Sequence, residues 1–333
     1  MQQSQKETKI SILGAGAIGC TLAARLILAG CERVSLIARG ENFQVLSTQG
    51  IHLTDLTGEY QLTPYRVVQD ITELDPQDII FITTKSNALH QVTASVQHAV
   101  HAGTVIIPLM NGIPFWYFYQ GQSDGDIQAI NCLDKDRQLI EHFPLAHLIG
   151  SVVFITAKLE TYGKVESDNP YLLILGEPKN QITERIKVVQ ALFADSGIEL
   201  RVTDQIRDQI WTKVIANLSS NPLSVVTGAP LKDIYAHPRL NEMALQITQE
   251  VRQVAASYGA RISIDPLTFL QLGTNMGNVY TSMWHDYQKK QPLEMAGIAE
   301  AVFELAEQFN CPMPVTKHIC NLTAYLSEQS RKI

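Results

Sequence analysis

A chain of 333 residues with 45% hydrophobic content suits two domains with a substantial core and excludes a disordered or fibrous class. A formal charge of −7, spread along the chain, argues against a nucleic-acid partner, because phosphate binding needs a basic face. Five cysteines without CxxC spacing read as reduced thiols and give no metal site. Residues 1–8 are polar and no apolar run reaches the roughly 20 residues that span a bilayer, so a cytoplasmic protein that uses no membrane is expected.

The first element is a β-branched run, Ile10-Ser11-Ile12-Leu13, leading into Gly14-Ala15-Gly16-Ala17-Ile18-Gly19 and then a helix-forming stretch over 20–29. At this Gly-x-Gly-x-x-Gly spacing Gly14 makes the tight turn and Gly16 lets backbone approach a pyrophosphate. Gly19 lets the helix pack on the strand, and the helix N-terminus favours the anion. A second strand over 33–37 closes in Ala38-Arg39. NAD-specific folds place a carboxylate there for the ribose 2′-OH; a guanidinium suits a 2′-phosphate, so the pattern favours NADP(H).

Residues 49–62 alternate around turn residues like a hairpin, and 78–85 is a compact apolar run of the buried, parallel-strand kind. Ser86 reads as the N-cap of a helix to 102, and 104–110 as another buried strand ending at Asn111-Gly112. Strands alternating with helices imply a parallel sheet, whose ligands lie outside the strands' carboxyl ends. That edge holds Gly14, Arg39, Lys85 and Asn111. Lys85 suits cofactor phosphate or ribose, and Asn111 the nicotinamide. Over 115–147 the pattern loosens into an insertion or lid whose Phe-Trp-Tyr-Phe-Tyr run reads as local core. Strands at 150–156, 171–175 and 199–202 and a helix over 181–196 complete this half.

From 204 onward nearly everything has helical periodicity: 206–218, 237–258, 266–290, 294–308 and a last helix to about 327. The expected fold is therefore an α/β Rossmann-type first domain over 1–203 and an all-α second domain over 204–333. The second begins with Trp211-Thr212-Lys213-Val214-Ile215-Ala216-Asn217-Leu218-Ser219-Ser220-Asn221-Pro222-Leu223. Lys213 and Asn217 share a helix face, Asn221 extends the stripe, and Pro222 predicts an end or bend. A second polar cluster sets Ser282 in Tyr280-Thr281-Ser282-Met283-Trp284-His285-Asp286, followed by Glu294.

In that order, GAGAIG, a strand-end arginine, Thr-Lys, Asn-Gly, the W-x-K-x-x-x-N-x-x-x-N-P-L segment, S-M-x-x-D and a later Glu, the chain resembles the ketopantoate reductase (2-dehydropantoate 2-reductase) family over about 9–326. The resemblance implies NADPH and a 2-oxo acid in a cleft between the two domains, with hydride passing to the C2 ketone. Lys213 would be the proton donor, with Glu294 beside it, and Asn111, Asn217, Asn221 and Ser282 would hold substrate. The glycine loop from Gly14 to Gly19, Arg39, Lys85, Asn111, Ala157 and Glu294 would contact the cofactor. A monomer or homodimer is implied.

This chain departs from the family pattern in having Leu293 before Glu294, Ala299-Glu300 where Asn-Gly would fall, Leu231 where some members have Asn, and a longer 115–147 segment. Two alternatives stay open: reduction of a different branched 2-oxo acid, and an NADPH-binding sensor without catalysis.

Overall fold

A computed structural model describes residues 6–121 and 127–332. Residues 1–5 of the polar N-terminus, residues 122–126 of the 115–147 segment and residue 333 lie outside the described residues. The chain folds into two compact units. The first comprises Met1–Met110, Phe118–Gln128 and Arg137–Ile206, and the second Asn111–Tyr117, Ala129–Asp136 and Arg207–Ile333.

The first unit opens with β1 (Ile10–Leu13), α1 (Ala17–Leu28), β2 (Val34–Ile37), α2 (Gly40–Gln49), β3 (Ile51–Asp55), β4 (Gly58–Leu62) and β5 (Arg66–Val68). It continues with β6 (Ile79–Ile82), α3 (Leu89–His98), β7 (Val105–Pro108), α4 (Gln138–His142) and β8 (Gly150–Phe154). Then come β9 (Lys158–Thr161), β10 (Lys164–Glu166), β11 (Tyr171–Gly176), α5 (Glu184–Leu192) and β12 (Ile198–Thr203). Strands β1, β2, β6 and β7 are buried at every position, as their continuous apolar runs require of a sheet covered on both faces. They form a parallel sheet in the order β5-β2-β1-β6-β7. Chain order reverses between β1 and β6, the switch point of a doubly wound fold.

Two smaller sheets, β4-β3-β10-β9 and β12-β11-β8, complete the unit. The expected hairpin is β3–β4, in register from Ile51 opposite Leu62 to Asp55 opposite Gly58. Sequence pattern misses α2, β5, β9 and β10. Charged residues dominate β9 and β10, and α2 buries only Leu46, so neither carries a strong apolar period. The helix expected over 86–102 is shorter: a tight turn at Ser86–Ala88 precedes α3.

The second unit is helical: α6 (Ile206–Thr227), α7 (Leu231–Ala236), α8 (Pro238–Ser257), α9 (Pro266–Asn275), α10 (Ser282–Gln288), a π turn at Ala296–Glu300 running into α11 (Ala301–Gln308), and α12 (Pro314–Ser330). The expected end at Pro222 does not occur, and α6 runs on to Thr227. Pro222 forfeits one backbone bond, but Leu223, Ser224 and Val225 beyond it are buried, and its carbonyl accepts from Thr323 Oγ1 at 3.2 Å. The helix expected over 266–290 is broken instead. Gly277 adopts φ +77°, and Thr281 caps a new helix by accepting from Trp284 N–H. Among the described residues no helix is long and apolar enough to cross a membrane.

Within this unit Trp211 Nε1 donates to Tyr117 Oη at 2.8 Å and stacks on Tyr258. Phe115, Trp116 and Tyr117 are buried, which makes this part of the aromatic run core. Glu304 accepts from the backbone N–H of Asn131 and Cys132, at 2.7 and 3.0 Å. Segments 111–117 and 129–136 thus pack with the helices, although they lie inside the range read from sequence as the first domain.

Candidate active site

In the first unit the glycine loop is pinned on one side and open on the other. Gly14 sits at φ +116°, where a Cβ would come within 2.8 Å of Thr84 N. A Cβ on Gly19 would meet Gly14 O at 1.9 Å, so α1 can approach the turn only with glycine there. Thr83 Oγ1 donates to Gly14 O at 2.6 Å, and Asn42 Nδ2 donates to Ala15 O at 2.8 Å. By contrast, nothing lies within 4 Å of a Cβ position on Gly16, which is exposed and precedes α1 without a side-chain cap. Uncapped N–H groups and the helix dipole, beside bare backbone at Gly16, fit the pyrophosphate of a nicotinamide dinucleotide.

Arg39 is exposed at the carboxyl end of β2 and forms the N-cap position of α2. Asp70 is its acidic neighbour; that carboxyl is held below its usual range by the Thr72 N–H first, and by Arg39 as well. Lys85 is exposed three residues past β6, after Thr83 and Thr84. Gly14, Arg39 and Lys85 therefore follow three strands adjacent in the sheet, β1, β2 and β6. Ala157, beyond β8, is half-buried against the core of this unit. Sequence reasoning misses Thr83 and Asn42, which brace the loop. A threonine directly after a buried strand is the available signal for Thr83; Asn42 offers none.

The second unit brings together the other candidates. Along α6 the apolar face of Trp211, Val214, Ile215 and Leu218 is buried, which fixes the stripe of Lys213, Asn217 and Asn221. Lys213 is half-buried. Burial pulls its ammonium pKa down to about 8, against the opposing pull of the Glu294 carboxylate. Asn221 is buried and Asn217 half-buried, and the Nδ2 atoms of both are shielded from water without a hydrogen-bond partner among the described residues. An amide left so costs about 1–3 kcal/mol, which an oxygen of a bound acid would relieve. Asn111 Nδ2 donates to Glu294 Oε2 at 3.2 Å, joining the loop after β7 to the segment before the π turn. Ser282 stands apart. It is exposed at the first position of α10 and makes no hydrogen bond to this group among the described residues.

An ammonium, two amide donors and a hydrogen-bonded carboxylate can hold an anion and give a proton to a developing oxyanion. Residues 10–115 match the family model "Ketopantoate reductase PanE/ApbA", and residues 205–326 match "Ketopantoate reductase PanE/ApbA C terminal". The chain belongs to the ketopantoate reductase family.

Among this family's members, a 2-dehydropantoate 2-reductase of Mesorhizobium japonicum is 29% identical over 319 residues, covering 96% of this chain and 98% of that protein. A crystal structure from Ralstonia solanacearum MolK2, assigned as a ketopantoate reductase, superposes with TM-score 0.89 at 31% identity. It covers 97% of this chain and 98% of its own. A D-mandelate dehydrogenase with NADH and anilino(oxo)acetate superposes with TM-score 0.82 at 20% identity over 97% of this chain and 99% of that one, and shows the shared fold. Ketopantoate reductases are oxidoreductases, and this chain is one by family.

Proposed function

We propose that the protein reduces 2-dehydropantoate to pantoate with NADPH, as a cytoplasmic enzyme of coenzyme A precursor synthesis that works as a monomer or homodimer. The observation that carries this reading is the α6 stripe, where Lys213 lies beside Glu294 and two orphaned amides, Asn217 and Asn221, need acceptors. The bound dinucleotide supplies a hydride to the C2 carbon of the 2-oxo acid. Lys213 holds its ammonium on the C2 oxygen, stabilises the charge that gathers there and releases a proton to it. Asn217 and Asn221 offer N–H groups to the carboxylate and hydroxyl of the substrate, with Ser282 a further donor. Asn111 and Glu294 act on nicotinamide and substrate together, and Glu294 keeps Lys213 charged near neutral pH.

For the cofactor, the glycine loop from Gly14 to Gly19 holds pyrophosphate, Ala157 lines the nucleotide, and Arg39 with Lys85 takes the 2′-phosphate side. Arg39 sits at the end of a strand that closes in Ala38, without a carboxylate to bind a ribose 2′-OH. Arg39→Ala is expected to weaken NADPH by about 10–150-fold, the value of one charge-assisted contact of about 1.5–3 kcal/mol, and to leave NADH within about twofold. Fluorescence titration with both nucleotides checks it. Equal losses would remove the 2′-phosphate from the argument.

The helical unit's polar stripe favours an enzyme over a sensor, because nucleotide binding alone needs none of Lys213, Asn217 or Asn221. The departures at Leu293 and Ala299-Glu300 flank Glu294. A second 2-oxo acid with a different branch is the reading they would favour if ketopantoate proves a poor substrate.

A further inference from the structure

The loop that carries Asn111 is seated on the π turn that follows Glu294. Asn111 donates to Glu294 at 3.2 Å, and two residues on, Ile113 N–H donates to Gly297 O at 2.8 Å. Between them Gly112, at φ +85°, lies so close to the turn that a Cβ on it would stand 2.2 Å from the Gly297 carbonyl carbon. From the facing side, a Cβ on Gly297 would meet the Asn111 carbonyl oxygen at 3.0 Å. Two stretches of bare backbone are therefore apposed, with the Asn111–Glu294 hydrogen bond alongside them. A π turn inside a helix is a local distortion frequently found at functional sites. Here it presents Gly297, buried, to the loop.

We propose that Gly297 is a positioning residue, whose lack of a side chain seats the Asn111-Gly112-Ile113 loop closely enough for Asn111 to hold the Glu294 carboxylate where it acts on Lys213. The proposal rests on the reading of Lys213 as proton donor. At 3.2 Å the Asn111–Glu294 bond is already at the long end of the normal range, so a lengthening of a few tenths of an ångström removes it. A methyl group on residue 297 demands a shift of that size, because 3.0 Å is inside ordinary carbon–oxygen contact. Glu294 then loses its donor and moves off, and Lys213 loses the carboxylate that keeps its proton.

Gly297→Ala separates this role from a role in folding. Alanine is the better residue in a helical turn, so the variant is expected to keep or raise its Tm while it loses turnover. A glycine needed only for the fold would lower both. Gly297→Ala is expected to reduce kcat about tenfold, as a small misplacement at a reacting centre does, with the KM for NADPH within about twofold. Asn111→Ser is expected to do the same, and the double variant to be no worse than the more damaging single one, because both act on one contact.

A second readout needs no substrate: NMR titration of the protein after reductive ¹³C-methylation of its lysines, with Lys213→Arg assigning the signal. Both single variants are expected to titrate Lys213 below the wild-type value of about 8, since Glu294 raises it. Additive losses in the cycle with an unmoved Lys213 titration would overturn the proposal, and so would a Gly297→Ala protein that fails to fold. A wild-type protein that reduces no 2-oxo acid would instead sink the functional reading, and the titration would still decide the role of Gly297.

Discussion

Lys213→Ala is expected to lower kcat with ketopantoate about 10³-fold, within the range set by loss of a general acid and of an oxyanion partner, and to leave the Kd for NADPH nearly unchanged. The physical basis is the position of the ammonium on α6. It is desolvated enough that its pKa falls to about 8, with Glu294 opposing the fall, so it is mostly protonated at neutral pH. Two consequences follow from the sign of that shift. The wild-type kcat/KM declines as pH rises through about 8, where the donor loses its proton. Glu294→Gln moves that decline to lower pH, because the carboxylate that raises the lysine pKa is gone. Steady-state kinetics across pH, paired with nucleotide titrations, check both. A kcat unchanged in Lys213→Ala would remove the lysine from the chemistry.

Arg185→Ala is expected to cost the first unit about 3 kcal/mol, the lower end of the penalty for breaking a buried ion pair. Glu177, which follows β11, has a fully buried side chain. Arg185 on α5 clamps both its carboxylate oxygens, at 2.8 Å from Nε and 2.6 Å from Nη2, and Thr183 Oγ1 donates to it as well. The arginine side chain is 33% exposed, so part of its charge remains hydrated and the lower figure applies. Burial alone would raise the Glu177 pKa, but Arg185 and Thr183 hold it below the usual carboxylate range. A depressed carboxylate pKa contributes stability that is present at neutral pH and lost on acidification. Without Arg185 the sign reverses, because the buried carboxylate gains by protonation. The gap in Tm between wild type and variant is therefore expected to narrow as pH falls from 7 toward about 5, in differential scanning calorimetry. A constant gap would show that the pair acts through packing alone.

Much of the first unit is legible in the sequence because its core strands are short, apolar and β-branched, and because a glycine loop has few geometries. Gly14 and Gly19 fall where the fingerprint places them, and Arg39 and Lys85 follow strands adjacent in the sheet. The polar strands β9 and β10 carry no period to read, and the pairing of β10 with β3 and with β9 is set by tertiary contacts. In the helical unit, Pro222 reads as a stop when local backbone rules are weighed without the burial of Leu223 and Val225 beyond it. The break near Gly277 escapes notice for the opposite reason: helical periodicity continues across a residue that adopts φ +77°.

Among the candidate residues, the spacing of Lys213, Asn217 and Asn221 needs only the helix to be right. The pairing of Asn111 with Glu294 joins positions 183 residues apart, and no local pattern announces it. The same is true of Gly112 and Gly297. Ser282 is singled out by motif alone, and in this structure it lies exposed at the start of α10, outside the hydrogen-bonded group.

The most direct test is a steady-state assay of the wild-type protein with ketopantoate and each reduced nicotinamide nucleotide in turn, followed by loss of nucleotide absorbance. The account predicts turnover of ketopantoate with NADPH and a kcat/KM at least about tenfold lower with NADH, the discrimination expected of a 2′-phosphate contact at Arg39. No turnover with NADPH, or a higher kcat/KM with NADH, would contradict it.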